Sequence, residues 1–210
     1  MKKTIALSLS ATLLAAPLMS HAQFGNLLNA VKPGGASSTS SGPDMGAQQD
    51  QLVRTYVAAG KDVSTANDHM ANALGIKTQA INDAATSDSL AAKDIEAQDK
   101  AISANAAAVS EALKSGATLK DSEAKAKYAK GLLFLATGMK KYTDMSKSAQ
   151  GFSSGLSSVN PMQLTSLQSG VYVAKSLPTN VSNLSSVLKS AIDFATKNGV
   201  EIPKEATSLI

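Results

Sequence analysis

The chain contains no cysteine. That excludes disulfides, thiol nucleophiles, zinc–thiolate sites and a lipid anchor on cysteine. Histidine occurs twice, as His21 and His69. Only His69 lies beyond residue 22, so one mature chain cannot build a two-histidine metal site. There is a single arginine, Arg54, no tryptophan, and an aromatic content of 4%. Arginine is the residue best suited to bidentate recognition of phosphates and base edges. Its scarcity argues against specific nucleic-acid recognition. No phosphate-binding glycine loop precedes a helix. Asp94, Glu96 and Asp99 gather acids on one stretch without the spacing of a calcium loop. No residue run keeps the two-residue alternation of a strand over a convincing length. The sequence therefore gives an all-α expectation, with no catalytic residue, metal ligand or cofactor assigned, and no enzyme expected.

What is present begins at the N-terminus. MKKTIALSLSATLLAAPLMSHAQ has a basic start at Lys2 and Lys3, an apolar stretch from Ile5 to Leu18, and a small-x-small pattern at Ser20-His21-Ala22. This is the three-part layout of a secretory signal peptide, too short for a transmembrane helix. Cleavage is expected after Ala22, with export to the periplasm, or secretion, in a Gram-negative bacterium. Loss of Lys2 and Lys3 lowers the basic residues from 20 to 18 against 16 acids. The mature charge is then +2, too small to argue for a polyanionic partner. No transmembrane span is expected in the mature chain.

Four segments follow from composition. Residues 1–22 are the signal peptide. Residues 23–32 hold Phe24, Leu27, Leu28 and Val31 at helical spacing, a short amphipathic segment too brief to be stable alone. Residues 33–46, rich in Gly, Ser and Pro, read as a flexible linker. Residues 47–210 read as a bundle of about five main helices with an extended C-terminal tail.

The bundle is organised around Tyr128–Tyr142. Ala124, Gly131, Gly138, Met145 and Phe152 recur at seven-residue intervals. Tyr128, Leu135, Tyr142, Ala149 and Leu156 form the neighbouring seam. Both fall on one side of a helix. Two readings of the glycines stand side by side. Gly131 and Gly138 admit a neighbouring backbone at close range, which the period alone explains. Alternatively they floor an apolar interhelical pocket flanked by Tyr128, Leu135 and Tyr142. These five residues are the candidate ligand-binding set.

Before this stretch, a helix is expected over 47–74. Its stripe is Val53, Tyr56, Gly60, Val63, Asn67, Met70 and Leu74, with Asn67 fixing register against a partner helix. Gly75 stops it. A short helix at 77–85 and a cap at Ser87 or Asp88 follow. A second long helix is expected over 89–115, lined by Ala91, Ile95, Ile102, Ala106, Val109 and Leu113, paired on its surface at Glu111 and Lys114, and ended by Gly116. Asp121 or Ser122 caps the central helix, which ends between Gln150 and Ser158. Asn160-Pro161 signals a new start. That helix stops before Pro178, and Thr179 or Asn180 opens a last one, ended by Asn198-Gly199. Val200 and Ile202 pin the extended tail.

Residues with chemical potential are few. His69 reads as an exposed helix histidine, and neighbouring Asp68 points about 100° away from it. The serines gather at helix ends, where they cap. Lys147-Ser148 and Lys175-Ser176 are the neighbours expected by chance in so serine-rich a chain. Lys120, Lys125, Lys127, Lys130, Lys140, Lys141 and Lys147 surround the central helix with Asp121, Glu123 and Asp144 between them, which reads as a solvated rim. The functional expectation is an exported, non-enzymatic bundle that binds a protein or envelope component. The alternative is a periplasmic small-ligand carrier with its pocket near the central helix. The heptad seams also permit self-association.

Overall fold

The computed structural model describes residues 44–76 and 90–210. The expected signal peptide, the amphipathic segment at 23–32, nearly all of the linker, the short helix at 77–85 and the cap at Ser87 or Asp88 lie outside the described residues. Among the described residues all regular structure is helical, and the architecture is an all-α bundle. The helices are α1 (Met45–Leu74), α2 (Ala92–Lys114), α3 (Ser122–Asp144), α4 (Ser146–Gly155), α5 (Pro161–Leu164), α6 (Gln168–Lys197) and α7 (Lys204–Thr207). Five of them, α1, α2, α3, α4 and α6, are ten residues or longer. None of the described helices is long and apolar enough to cross a membrane.

Local signals fix most of the boundaries. α1 begins at Met45 rather than Ala47, because the Asp44 carboxylate accepts the free N–H groups of Gly46 and Ala47 at 3.0 and 3.1 Å. The Asp121 carboxylate caps α3 through the N–H of Ala124 at 2.8 Å. Gly75, Gly116 and Gly199 all carry positive φ at helix ends. In each case the next residue's N–H returns to the carbonyl five positions back: Ile76 to Ala71, Ala117 to Ala112, Val200 to Ala195. Only glycine takes this left-handed turn without strain, which is why it stops three of the helices.

α1 and α3 are the central antiparallel pair. Gly131 faces Ala66 and Met70, and Gly138, one heptad later, faces Ala59 and Val63, one heptad earlier. A methyl group at either glycine would lie 3.0–3.2 Å from α1 main-chain atoms. The glycines thus seat one helix backbone against the other, in line with the packing reading. Both seams of the central stretch are buried or half-buried from Ala124 to Leu156. The single central helix expected to end between Gln150 and Ser158 is instead two: α3 stops at Asp144, and α4 carries the seams on from Ser146 to Gly155.

Three further expectations are corrected. First, the helices expected on either side of Pro178 are one helix, α6, with Pro178 inside it. Val173, Leu177, Leu184, Leu188, Ala191 and Ala195 are all buried along one stripe that passes the proline. Interior proline costs about 3 kcal/mol. Burying each large side chain of the stripe gains about 2 kcal/mol, so continuity wins. Asn160-Pro161 does start a helix, with Asn160 Oδ1 accepting the Met162 N–H at 3.0 Å, but α5 lasts four residues before a 3₁₀ turn at Thr165–Leu167. Second, the tail is not wholly extended. Pro203 leads into α7, whose Ala206 is fully buried, while Val200 is buried and Ile202 half-buried as expected. Third, α2 is rotated from its expected face. Ile95, Gln98, Ile102, Asn105, Val109 and Ala112 are buried, whereas Ala91 is exposed and Ala106 and Leu113 are half-buried. Two polar residues replace apolar ones in the stripe because α1 offers them room and partners, as described next.

Candidate functional site

The rotation of α2 begins at Gly60 on α1. A methyl group there would lie 3.2 Å from Ile102 Cδ1 and 3.4 Å from both Gln98 Nε2 and Tyr142 Oη. The missing side chain makes space for a glutamine and a tyrosine hydroxyl in the core. One heptad on, Asn67 donates its side-chain amide to the Ile102 carbonyl at 3.2 Å. This is the register-fixing contact expected of Asn67, made to α2. Asn105 is 2% exposed and its amide nitrogen has no hydrogen-bond partner.

With Gln98 inside, Asp99 stands at the edge of the buried face. Its Oδ2 accepts the hydroxyl protons of Tyr56 at 2.6 Å and Tyr172 at 2.8 Å. The Asn180 amide donates to the Tyr56 oxygen at 2.5 Å. Tyr56 therefore both donates and accepts a hydrogen bond within one chain of bonds. Tyr142 crosses Tyr56 edge-on, with ring centroids 5.0 Å apart. Four helices meet here: α1 brings Tyr56, α2 Asp99, α3 Tyr142, and α6 both Tyr172 and Asn180.

Burial dominates the electrostatics. It raises the Asp99 carboxyl above its ordinary value, against the pull of hydrogen bonds from Tyr56, Tyr172 and Asn180. Burial also raises Tyr56 and Tyr142, with Asp99 adding to both. Tyr172, more open, is pushed up to about 12 by burial and by Asp99. The phenols stay protonated and serve as donors. Among the described residues no Lys, Arg or His forms an ion pair with Asp99.

The cluster opens on a cleft of about 50 Å³ between α2 and α6. Asp99, Tyr142, Asn180, Asn183 and Ser103 give it polar groups, and Val63, Ile102, Ala106, Leu184 and Val187 give it apolar walls. A wider depression of about 510 Å³ lies between α4 and α6. Ala149, Leu177 and Val181 floor it, Ser146, Gln150, Ser153 and Ser154 rim it, and no charged side chain lines it.

The five candidate ligand-binding residues are all buried on α3. Tyr142 lines the cleft. Tyr128 instead donates to the Ala191 carbonyl at 3.2 Å and packs on Phe194 at 5.1 Å, tying α3 to α6. Gly131 and Gly138 face α1, where Met70 and Val63 fill the space over them. Leu135 belongs to the core cluster.

His69 is half-buried rather than exposed, because its ring stacks on Phe134 at 5.6 Å and 19°. Burial and the nearby Lys130 charge lower its pKa. Three lysines of the rim are paired: Lys127 with Glu123 at 2.7 Å, Lys140 with Asp144, and Lys141 with Asp62 of α1 at 2.7 Å. One pattern escaped sequence reading. Gly151, Ser153 and Gly155 have the G-x-S-x-G spacing of a serine-hydrolase elbow. That chemistry needs a sharp strand-to-helix turn. Here the pattern lies within α4, with Ser153 exposed and no strand among the described residues. Nor do the described residues hold a group of three or more metal-ligating His, Asp or Glu side chains.

Asp99, Tyr56, Tyr172 and Asn180 were not foreseen as a site. They lie up to 124 residues apart. Asn180 read as a helix cap only because Pro178 read as a break.

The chain is thus a helical bundle with a carboxylate-floored interhelical cleft. No protein-family model, curated protein or solved structure matches it.

Proposed function

We propose that this chain is an exported, non-enzymatic helical bundle of the bacterial envelope that binds a small ligand in the Asp99 cleft. One observation carries the binding reading. A partly buried carboxylate, held by two phenols and supported by an amide, opens on a cleft instead of being packed shut. Small-molecule sites between helices of bundles combine apolar walls with a few placed polar groups, and this cleft has that composition. It moves the expected carrier pocket from the glycines to the Tyr142 end of α3, on the side facing α2 and α6. Export is supported by the basic, apolar and small-x-small order of residues 1–22.

Native mass spectrometry on protein purified gently from a Gram-negative periplasm tests both parts. The expected result is a chain beginning at Gln23 with extra mass that denaturation releases. A chain retaining residues 1–22 would defeat the export reading. A bare chain, joined to a cleft that no small molecule perturbs in an NMR fragment screen, would defeat the binding reading.

A further inference from the structure

We infer that the Asp99 cleft takes a small organic cation: the ammonium group of a primary amine, with its alkyl stem against Val63, Ile102 and Leu184. This rests on the ligand-binding reading above and specifies its chemistry.

The charge balance points first. Asp99 has no basic partner among the described residues, so none of them offsets its negative charge in this partly desolvated site. A cation supplies the missing countercharge. An anion would add repulsion, and a neutral ligand would leave the carboxylate as it is.

The donor set then selects the kind of cation. An ammonium group offers three N–H donors and needs acceptors. Both phenols converge on Asp99 Oδ2, leaving Oδ1 without a phenol donor. Asn180, whose amide nitrogen donates to the Tyr56 oxygen, also lines the cleft and brings a carbonyl oxygen to it. Asn183 and Ser103 add further oxygen atoms along the cleft. A single carboxylate is a poor fit for calcium, which takes six to eight oxygen ligands.

Size sets the limit. One water needs about 10–15 Å³ of such space, so a cleft of about 50 Å³ admits an ammonium group and a few carbons. A longer ligand leaves over Ser103 and Asn183, both exposed.

The test is an NMR amide titration of the full exported chain with three probes of matched length: n-butylammonium, n-butanol and butyrate. Saturable shifts at cleft residues are expected for n-butylammonium, with the other two at least tenfold weaker. Asp99→Asn should weaken n-butylammonium at least tenfold. Ala106→Phe, which fills the cleft from one wall, should abolish binding. Equal affinity for n-butylammonium and n-butanol overturns the cation inference while the ligand-binding reading stands. So does a folded Asp99→Asn that binds n-butylammonium as tightly as the parent. Failure of all three probes to bind removes both. If Asp99→Asn does not fold, the probe series and Ala106→Phe still decide. A last arm separates the sources of the amine. Cosedimentation with phosphatidylethanolamine vesicles, competed by free ethanolamine, assigns a lipid head group. Binding of n-butylammonium without cosedimentation assigns a free amine.

Discussion

Val63 of α1 packs onto Gly138 of α3 so closely that a methyl group at 138 would lie 2.7 Å from Val63 Cγ2. The same distance separates a methyl at Gly131 from Met70 Cγ. The two sites differ in what can yield. Valine is branched at Cβ and stiff, whereas methionine is flexible and repacks. Alanine gains about 1 kcal/mol over glycine in a helix interior, while overpacking costs about 1–3 kcal/mol. Gly138→Ala should therefore destabilise by about 1–2 kcal/mol, and Gly131→Ala by less. Urea denaturation followed by circular dichroism measures both. Adding Val63→Ala to Gly138→Ala should cost less than the two single changes summed, because each relieves the other. Strict additivity would mean that the glycine does not set the helix spacing.

Tyr56 and Tyr128 are both buried tyrosines with bonded hydroxyls, yet they should not respond alike to loss of that oxygen. Tyr56→Phe takes a donor from the Asp99 carboxylate and an acceptor from Asn180. A hydrogen bond to a charged group is worth about 1.5–3 kcal/mol, so a loss in that range is expected. Tyr128→Phe removes a bond to the Ala191 carbonyl, which lies inside α6 and keeps its helical partner. Its cost should be about 1 kcal/mol or less. Equal costs in chemical denaturation would show that the Asp99 network does not hold the helices together.

The pH dependence of stability has two opposed parts. Burial raises the Asp99 carboxyl in the folded chain. The folded state then holds that proton more tightly than the unfolded state does. Asp99's contribution is fully present below the ordinary carboxylate pKa of about 4 and is lost as pH rises through the raised value. His69 is lowered in the folded chain, so its neutral form favours folding. Its contribution is present above the ordinary histidine pKa of about 6.5 and is lost as pH falls through the lowered value. The stability difference, parent minus Asp99→Asn, should therefore fall from acid toward neutral pH. The difference, parent minus His69→Gln, should fall from neutral toward acid. Denaturant midpoints measured between pH 3 and 8 give both curves, and a flat curve for either variant rejects the corresponding assignment.

The sequence shows whatever is set locally. The caps at Asp121 and Asn160, the glycine stops at 75, 116 and 199, and the α1 stripe from Val53 to Met70 are all visible in it. Each depends on residues within a few turns. The α2 face was misplaced because Gln98 and Asn105 are polar, and only the space over Gly60 explains why Gln98 turns inward. The Asp99 cluster was hidden for a related reason. Its members come from four helices, and no period links Tyr56 to Tyr172. Of the residues singled out as a site, Tyr142 was found because it sits on the most apolar stretch of the mature chain, where sequence attracts attention for packing.

Pro178 is where local preference and tertiary packing conflict most directly, and it yields the sharpest stability prediction. The ring removes one main-chain donor and crowds the preceding turn, which is why the sequence reads as two helices. The buried stripe from Val173 to Ala195 holds the helix through it. The side chain itself is exposed and lines the α4–α6 depression with Ala174 and Leu177. Pro178→Ala removes no core contact and restores the missing N–H. Stability should rise by about 1–3 kcal/mol, read as a higher urea midpoint at unchanged slope. A change in slope would mean instead that the proline shapes how much surface the fold buries. A loss of stability would mean that the helix path at 178 is required by α4, with the depression between them held open by the proline.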